Sequence, residues 1–112
     1  MALPHAVHGQ VVDVGPLGDR LATERSSAIF KSMDLEVMRV VLTAGRALPP
    51  HKVPGEVTIQ CVEGSLDVTL AAGPVRLNPG QLVLLERNEM HGVSALTDCS
   101  ALVTIALERI GR

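Results

Sequence analysis

Two histidines are the side chains of this sequence best suited to chemistry. His51 and His91 lie in similar glycine-punctuated stretches, since Gly45 precedes the first histidine and Gly80 precedes the second. A neutral imidazole can coordinate a divalent metal, form a hydrogen bond or act as a general base. We therefore expect the two rings to make one site wherever the fold brings the two stretches together.

The sequence lacks the other common signatures of catalysis and of macromolecular binding. It contains no Ser–His–Asp or Cys–His arrangement, no phosphate-binding loop and no dinucleotide fingerprint. The 112 residues carry a formal charge of −2 without a Lys/Arg cluster, and Phe30 is the only aromatic residue. Nucleic-acid binding needs a basic face, and single strands also need aromatic platforms, so we exclude nucleic acid as a partner.

Short β-strands are the elements that must position the histidines. The apolar residues alternate with period two or form short continuous runs, and Gly or Pro interrupts them at regular intervals. Glu63-Gly64 is typical of a tight hairpin, and Asn78-Pro79-Gly80 of a type II turn. We predict a short strand at Gln10–Val14, a helical turn within Leu17–Arg25, and strands at Ser27–Lys31, Leu35–Thr43, Glu56–Val62, Leu66–Ala71, Val75–Leu77, Leu82–Glu86, His91–Leu96 and Ser100–Leu107.

This pattern predicts an all-β sandwich or barrel with almost no helix. Residues 1–112 form one domain in this interpretation, with a flexible tail at 1–8 and a barrel core at 35–107. Two cysteines, Cys61 and Cys99, favour reduced thiols over a disulfide framework. The N-terminus has no signal-peptide pattern and no apolar run is long enough for a bilayer, so we expect a cytoplasmic protein without a membrane partner.

The two histidine stretches resemble the paired motifs of the cupin superfamily. The first motif reads Gly, five residues, His, any residue, His, three or four residues, Glu, six residues, Gly, and Gly45, His51 and Gly64 match it in register. The second reads Gly, five residues, Pro, any residue, Gly, two residues, His, three residues, Asn, and Gly80 and His91 match it. The resemblance implies a small, single-domain, RmlC-like protein of the cupin-2 type, folded as a double-stranded β-helix (jelly-roll barrel).

The departures from these motifs concern the metal site that the resemblance implies. Cupins hold a divalent metal with three histidines and one glutamate. Here Val53 stands in place of the second histidine and Val57 in place of the glutamate, while Glu86, Asn88 and Ala95 replace the Pro, Gly and Asn of the second motif. His51 and His91 alone would hold Zn, Ni, Cu, Fe or Mn only weakly. Glu56 becomes a further ligand only if a bulge beside Pro54-Gly55 turns it inward.

These residues leave three functions open. The preferred hypothesis is a small-molecule-binding protein whose pocket contains His51, His91, Val53, Val57 and Ile59, with or without a weakly held divalent metal. The alternative is a metal-dependent enzyme of the dioxygenase or isomerase type that uses a two-His site. The third is a metal-free site in which one imidazole acts as a general base.

Other residues carry weaker expectations. The strand Leu35–Leu42 is apolar on both faces, which predicts a homodimer that covers its outer face, together with the N-terminal segment. We interpret Arg39, isolated in that strand, as a side chain that reaches solvent at the dimer edge rather than as the anchor of an anionic ligand. Further expectations concern six single side chains: Thr58 and Gln60 on the outer face, Cys61 as a small buried hydrophobe, Met90 as core or interface filler, and His5 and His8 in the solvated tail.

Overall fold

The computed structural model describes residues 5–107 and is built almost entirely of strands. One short 3-10 helix, Gly18–Arg20, lies within the stretch where a helical turn was predicted. The strands are β1 (Ser27–Lys31), β2 (Leu35–Leu42), β3 (Ala47–His51), β4 (Val57–Glu63), β5 (Leu66–Leu70), β6 (Gly73–Leu77), β7 (Leu82–Leu85), β8 (His91–Ala95) and β9 (Cys99–Ala106).

Two antiparallel sheets face each other across the core. The five-stranded sheet has the order β1-β2-β9-β4-β7, and the four-stranded sheet has the order β3-β8-β5-β6. Neighbouring strands are therefore mostly distant in sequence, as in a jelly roll whose chain passes repeatedly between its two sheets. The predicted all-β jelly-roll fold is confirmed.

Strict alternation along β4 and β5 builds the centre of the core. Val57, Ile59 and Cys61 of β4 are buried together with Leu66 and Val68 of β5. Successive residues of a strand point to opposite faces, so the residues between them face outward, and Thr58 and Gln60 are partly exposed as expected. Both cysteines are free and buried, which agrees with the interpretation of Cys61 as a small hydrophobe.

Gly64 makes possible the tight turn by which the chain passes from β4 in the five-stranded sheet to β5 in the four-stranded sheet. Its φ is +73°, and a Cβ at this position would overlap the carbonyl oxygen of Asp98. Only glycine adopts this conformation without strain and allows the neighbouring backbone so close. A turn therefore lies at Glu63-Gly64, but the prediction of a hairpin there is wrong, because β4 and β5 belong to different sheets and do not pair.

Strand β3, which carries His51, was missing from the strands predicted from sequence. It contains Pro49 and Pro50, which cannot donate to a strand ladder and so argue against a strand. The two prolines are tolerated because β3 lies at the edge of the four-stranded sheet and pairs with a strand on one side only. Its register with β8 is irregular between Leu48 and His51, where the prolines lie.

The N-terminal segment lies against the outer face of the five-stranded sheet. Gln10–Val14, a predicted strand, forms no strand in the structure, which corrects that prediction. Of the predicted tail, residues 1–4 lie outside the described residues. The backbone N–H of Ala6 donates to the carbonyl oxygen of Ile29 in β1 at 2.8 Å.

Glu63 at the end of β4 attaches this segment to the barrel. Its Oε2 accepts the Leu17 N–H at 2.6 Å and the Ser100 hydroxyl at 2.8 Å, and its Oε1 accepts the Gly18 N–H at 3.1 Å. Burial opposes ionisation of this carboxyl, but these hydrogen bonds and the positive charge of Arg39 outweigh it and lower the pKa of Glu63. The sequence identified Glu63 only as a hairpin residue.

The same segment covers residues that we expected to lie at a subunit interface. Val37 lies at the floor of a groove between residues 6–14 and strands β1, β2 and β9. Arg39 is 7% exposed, so the prediction that its side chain reaches solvent is wrong. Met90, expected in a core or an interface, is 49% exposed, so its assignment to the core is wrong. Part of the apolar outer face that predicted a homodimer is thus covered by the chain itself.

Within residues 5–107, no helix has the length and apolar character needed to cross a membrane.

Candidate functional site

The two histidines meet across one strand pair. His51 is the last residue of β3 and His91 is the first residue of β8, and the two are direct Cα partners in the antiparallel register. Their ring centroids are 4.5 Å apart and the ring planes are inclined by 52°. The structure therefore brings the two imidazoles together, as the sequence predicted.

Each imidazole is oriented by a backbone carbonyl two residues earlier. His51 Nδ1 lies 3.3 Å from the Pro49 carbonyl oxygen, and His91 Nδ1 lies 3.0 Å from that of Glu89. A carbonyl oxygen can only accept, so both contacts require the proton of a neutral ring to be on Nδ1. The lone pair of each ring is then on Nε2, which is the arrangement found in histidines that coordinate metals.

The imidazoles border a small apolar cavity between the sheets. Its volume is about 100 Å³, below the roughly 300–1,000 Å³ typical of pockets for drug-sized ligands. His91 is buried, whereas His51 is exposed. The lining consists of Met38, Val40, Leu48, His51, Val53, Val57, Ile59, His91, Val93, Ala101, Val103 and Ile105.

All three apolar residues expected in the pocket, Val53, Val57 and Ile59, line this cavity. The sequence did not identify the contribution of β2, β8 and β9, although the signal was present. Met38 and Val40 have the same parity within β2, and Val93 has the same parity as His91 within β8. Parity alone cannot decide which of two apolar faces turns inward, and β2 is apolar on both.

The donor set does not fit the four-ligand metal centre that the resemblance implies. Val57 is 3% exposed and lines the cavity where a carboxylate would be needed. Glu56 is exposed and outside the cavity lining, and no carboxylate is among the lining residues. Among residues 5–107, no three His, Cys, Asp or Glu side chains are grouped so that they could hold a metal ion. The two Nε2 atoms supply half of a four-ligand set.

The other histidines lie away from this cavity. His5 and His8 are exposed, and His8 borders the groove on the outer face of the five-stranded sheet. Cys61 donates to the carbonyl oxygens of Glu63 and Gly64 at 3.6 and 3.3 Å and belongs to the core. The chemistry available in the cavity is therefore that of two imidazoles in an apolar enclosure.

Comparisons with known proteins agree with this architecture. A family model described as a cupin domain matches residues 38–106, which is more than half of the chain. None of the curated proteins compared with the chain matches it.

Solved structures share the fold at low sequence identity. A conserved protein of unknown function from Streptococcus pyogenes is 18% identical with a TM-score of 0.74, over 97% of this chain and 96% of that one. An RmlC-like cupin from Desulfovibrio desulfuricans is 24% identical with a TM-score of 0.69, over 95% and 97%. The polyketide cyclase RemF from Streptomyces resistomycificus is 22% identical with a TM-score of 0.66, over 76% and 66%. At these identities the likeness concerns the fold alone.

Proposed function

The chain belongs to the cupin domain family, and from this premise we propose that its barrel binds a small molecule with one polar end and a short apolar body. The polar end contacts His51 and His91, and the body lies against the valines and isoleucines of the cavity. Ligand pockets commonly combine apolar walls with a few convergent polar groups. The observation that carries the proposal is the pair of imidazoles, 4.5 Å apart, at the border of an otherwise apolar cavity.

The cavity limits the size and the chemistry of the ligand. A volume of about 100 Å³ admits only a few non-hydrogen atoms unless part of the ligand remains outside. With the proton on Nδ1, each Nε2 accepts a hydrogen bond, which favours a hydroxyl or another donor at the polar end. A protonated ring would instead donate to a carbonyl or a carboxylate.

Three probes with the same chain length separate these possibilities. Butan-1-ol, butanone and butanoate present a hydroxyl, a carbonyl and a carboxylate on similar apolar bodies. We expect at least one of them to shift the ring resonances of both His51 and His91 saturably in NMR titrations. The shifts should disappear in His91→Ala and persist in His8→Ala, which alters an exposed imidazole outside the barrel cavity.

Saturable binding that survives His91→Ala would contradict the assignment of the polar contact. The absence of saturable shifts at both rings, with all three probes, would contradict the binding proposal for ligands of this class. An unchanged amide spectrum away from the cavity establishes that the His91→Ala variant remains folded.

A second function is favoured by one specific observation. Both Nδ1 atoms contact backbone carbonyls, which leaves both Nε2 lone pairs available for a divalent metal. Such a metal would be a Lewis acid with open coordination positions, as a dioxygenase or isomerase requires. Because only two neutral protein ligands are present, we propose that binding of Zn, Ni, Cu, Fe or Mn is weak. A metal competes with protons for each Nε2, so its binding should weaken further in acid.

Elemental analysis distinguishes the two functions. Protein purified without an affinity tag and without chelators should contain far less than one metal ion per chain if the cavity binds a small molecule directly. Stoichiometric metal that is lost in His91→Ala but retained in His8→Ala would support the enzyme alternative instead.

A further inference from the structure

A second cavity lies outside the barrel, and its most buried polar residue is Arg39. This cavity has a volume of about 360 Å³, within the range of ligand pockets. It lies between the N-terminal segment and the outer face of strands β1 and β2. Three arginines, Arg20, Arg25 and Arg39, and two carboxylates, Asp13 and Glu24, contribute to its lining.

The guanidinium of Arg39 lacks the partners that a buried cation requires. The residue is 7% exposed, and its Nη1 is buried without a hydrogen-bond partner. Its Nη2 lies 3.5 Å from the Asp13 carbonyl oxygen, at the outer limit for a hydrogen bond. A buried charge with unfilled donors is costly, because the water that it has lost is not replaced.

The carboxylates near Arg39 are engaged elsewhere. Asp13 accepts the Gly15 N–H at 2.8 Å, and Glu24 pairs with Arg20 at 3.3 Å. Glu63 interacts with Arg39 electrostatically, but its oxygens accept hydrogen bonds from Leu17, Gly18 and Ser100. In the described part of the chain, no carboxylate oxygen lies within 4.0 Å of the guanidinium nitrogens of Arg39 or Arg25.

We propose that this outer cavity binds a small molecule carrying an oxyanion, a carboxylate or a phosphate, with Arg39 at its base and Arg25 at its rim. A guanidinium presents its donors as a planar fork that matches two oxygens of one anion. Among the lining residues the three arginines outnumber the two carboxylates, so the lining itself favours an anion. This site is separate from the histidine cavity, with which it shares no lining residue.

Titrations of the full chain followed by amide NMR test this proposal. The probes are inorganic phosphate, acetate and succinate, each at constant ionic strength maintained with sodium chloride. We expect saturable shifts of the amides of Asp13, Arg25 and Arg39, while the amides of His51 and His91 remain unshifted. Saturation by phosphate alone identifies a phosphate-bearing ligand, and saturation by the carboxylates alone identifies a carboxylate ligand; either result supports an oxyanion site.

The variant Arg39→Met should weaken this binding by about tenfold or more, as expected for loss of a charge-assisted contact. The matched control is Arg46→Gln, which alters an exposed arginine outside the cavity. If Arg39→Met does not fold, Arg25→Gln removes a cation at the rim without changing the base and should also weaken binding. Shifts that chloride reproduces, shifts that persist in both variants, or the absence of saturation with every probe would overturn the proposal.

Discussion

The attachment of the N-terminal segment through Glu63 allows a quantitative prediction. In Glu63→Gln, one carboxylate oxygen becomes an amide nitrogen, which can only donate. If the remaining oxygen takes the position of Oε2, it still accepts from Leu17 and Ser100, but the amide nitrogen then faces the N–H of Gly18. One hydrogen bond to a charged acceptor is lost, and such bonds contribute about 1.5–3 kcal/mol.

We therefore expect Glu63→Gln to lower the free energy of unfolding by about 1.5–3 kcal/mol in urea denaturation. The loss should be accompanied by faster hydrogen exchange at the amides of Leu17 and Gly18. Glu56→Gln is the matched control, because Glu56 is an exposed carboxylate next to the same strand. A loss below about 0.5 kcal/mol, the usual range of surface substitutions, with unchanged exchange at both amides would refute this account of the attachment.

The pH dependence gives the same prediction an independent check. The pKa of Glu63 is lower in the folded chain than its ordinary value of 4.5. Its contribution to stability is therefore present above about pH 4.5 and is lost as the pH falls through the folded pKa. Below pH 4.5, the stability of the wild type should fall more steeply than that of Glu63→Gln.

Three other outcomes can be measured directly. Val57→Glu places a carboxylate in the apolar histidine cavity, so it should destabilise the metal-free protein and bind Zn or Ni more tightly than the wild type in calorimetric titrations; equal affinity would mean that the wild type already has a further ligand, such as Glu56. Burial, with a contribution from Cys61, raises the pKa of Cys99 to about 11 from 9.0, so unfolding should become easier by up to about 3 kcal/mol as the pH rises from 9 to 11. This alkaline loss should be smaller in Cys99→Ala, and an equal loss would assign it to other groups. Leu35 of the predicted interface remains 41% exposed, so we still expect a second subunit to cover it. Sedimentation at micromolar concentration should then give a molecular mass of twice 11.8 kDa, and a persistent monomer would contradict the dimer.

Local patterns in the sequence were sufficient for the fold class and the centre of the site. Alternation along β4 identified Val57 and Ile59 as inward-facing, since side chains of a strand alternate regardless of its neighbours. The glycine positions located the turn at Gly64, where a positive φ is required, although that turn joins the two sheets and is not the predicted hairpin. Together with the resemblance, these features predicted that His51 and His91 meet.

Other features depended on contacts between residues far apart in the chain. Pro49 and Pro50 argued against a strand, and only the edge position of β3 explains why the chain pairs there. Arg39 was expected to reach solvent because nothing in its own strand indicates that residues 5–17 lie over it. Periodicity reports which residues share a face, whereas the tertiary structure decides what covers that face. The sequence by itself therefore determined the barrel and its paired imidazoles, and only the tertiary structure decided that a buried arginine lies in a second cavity outside it.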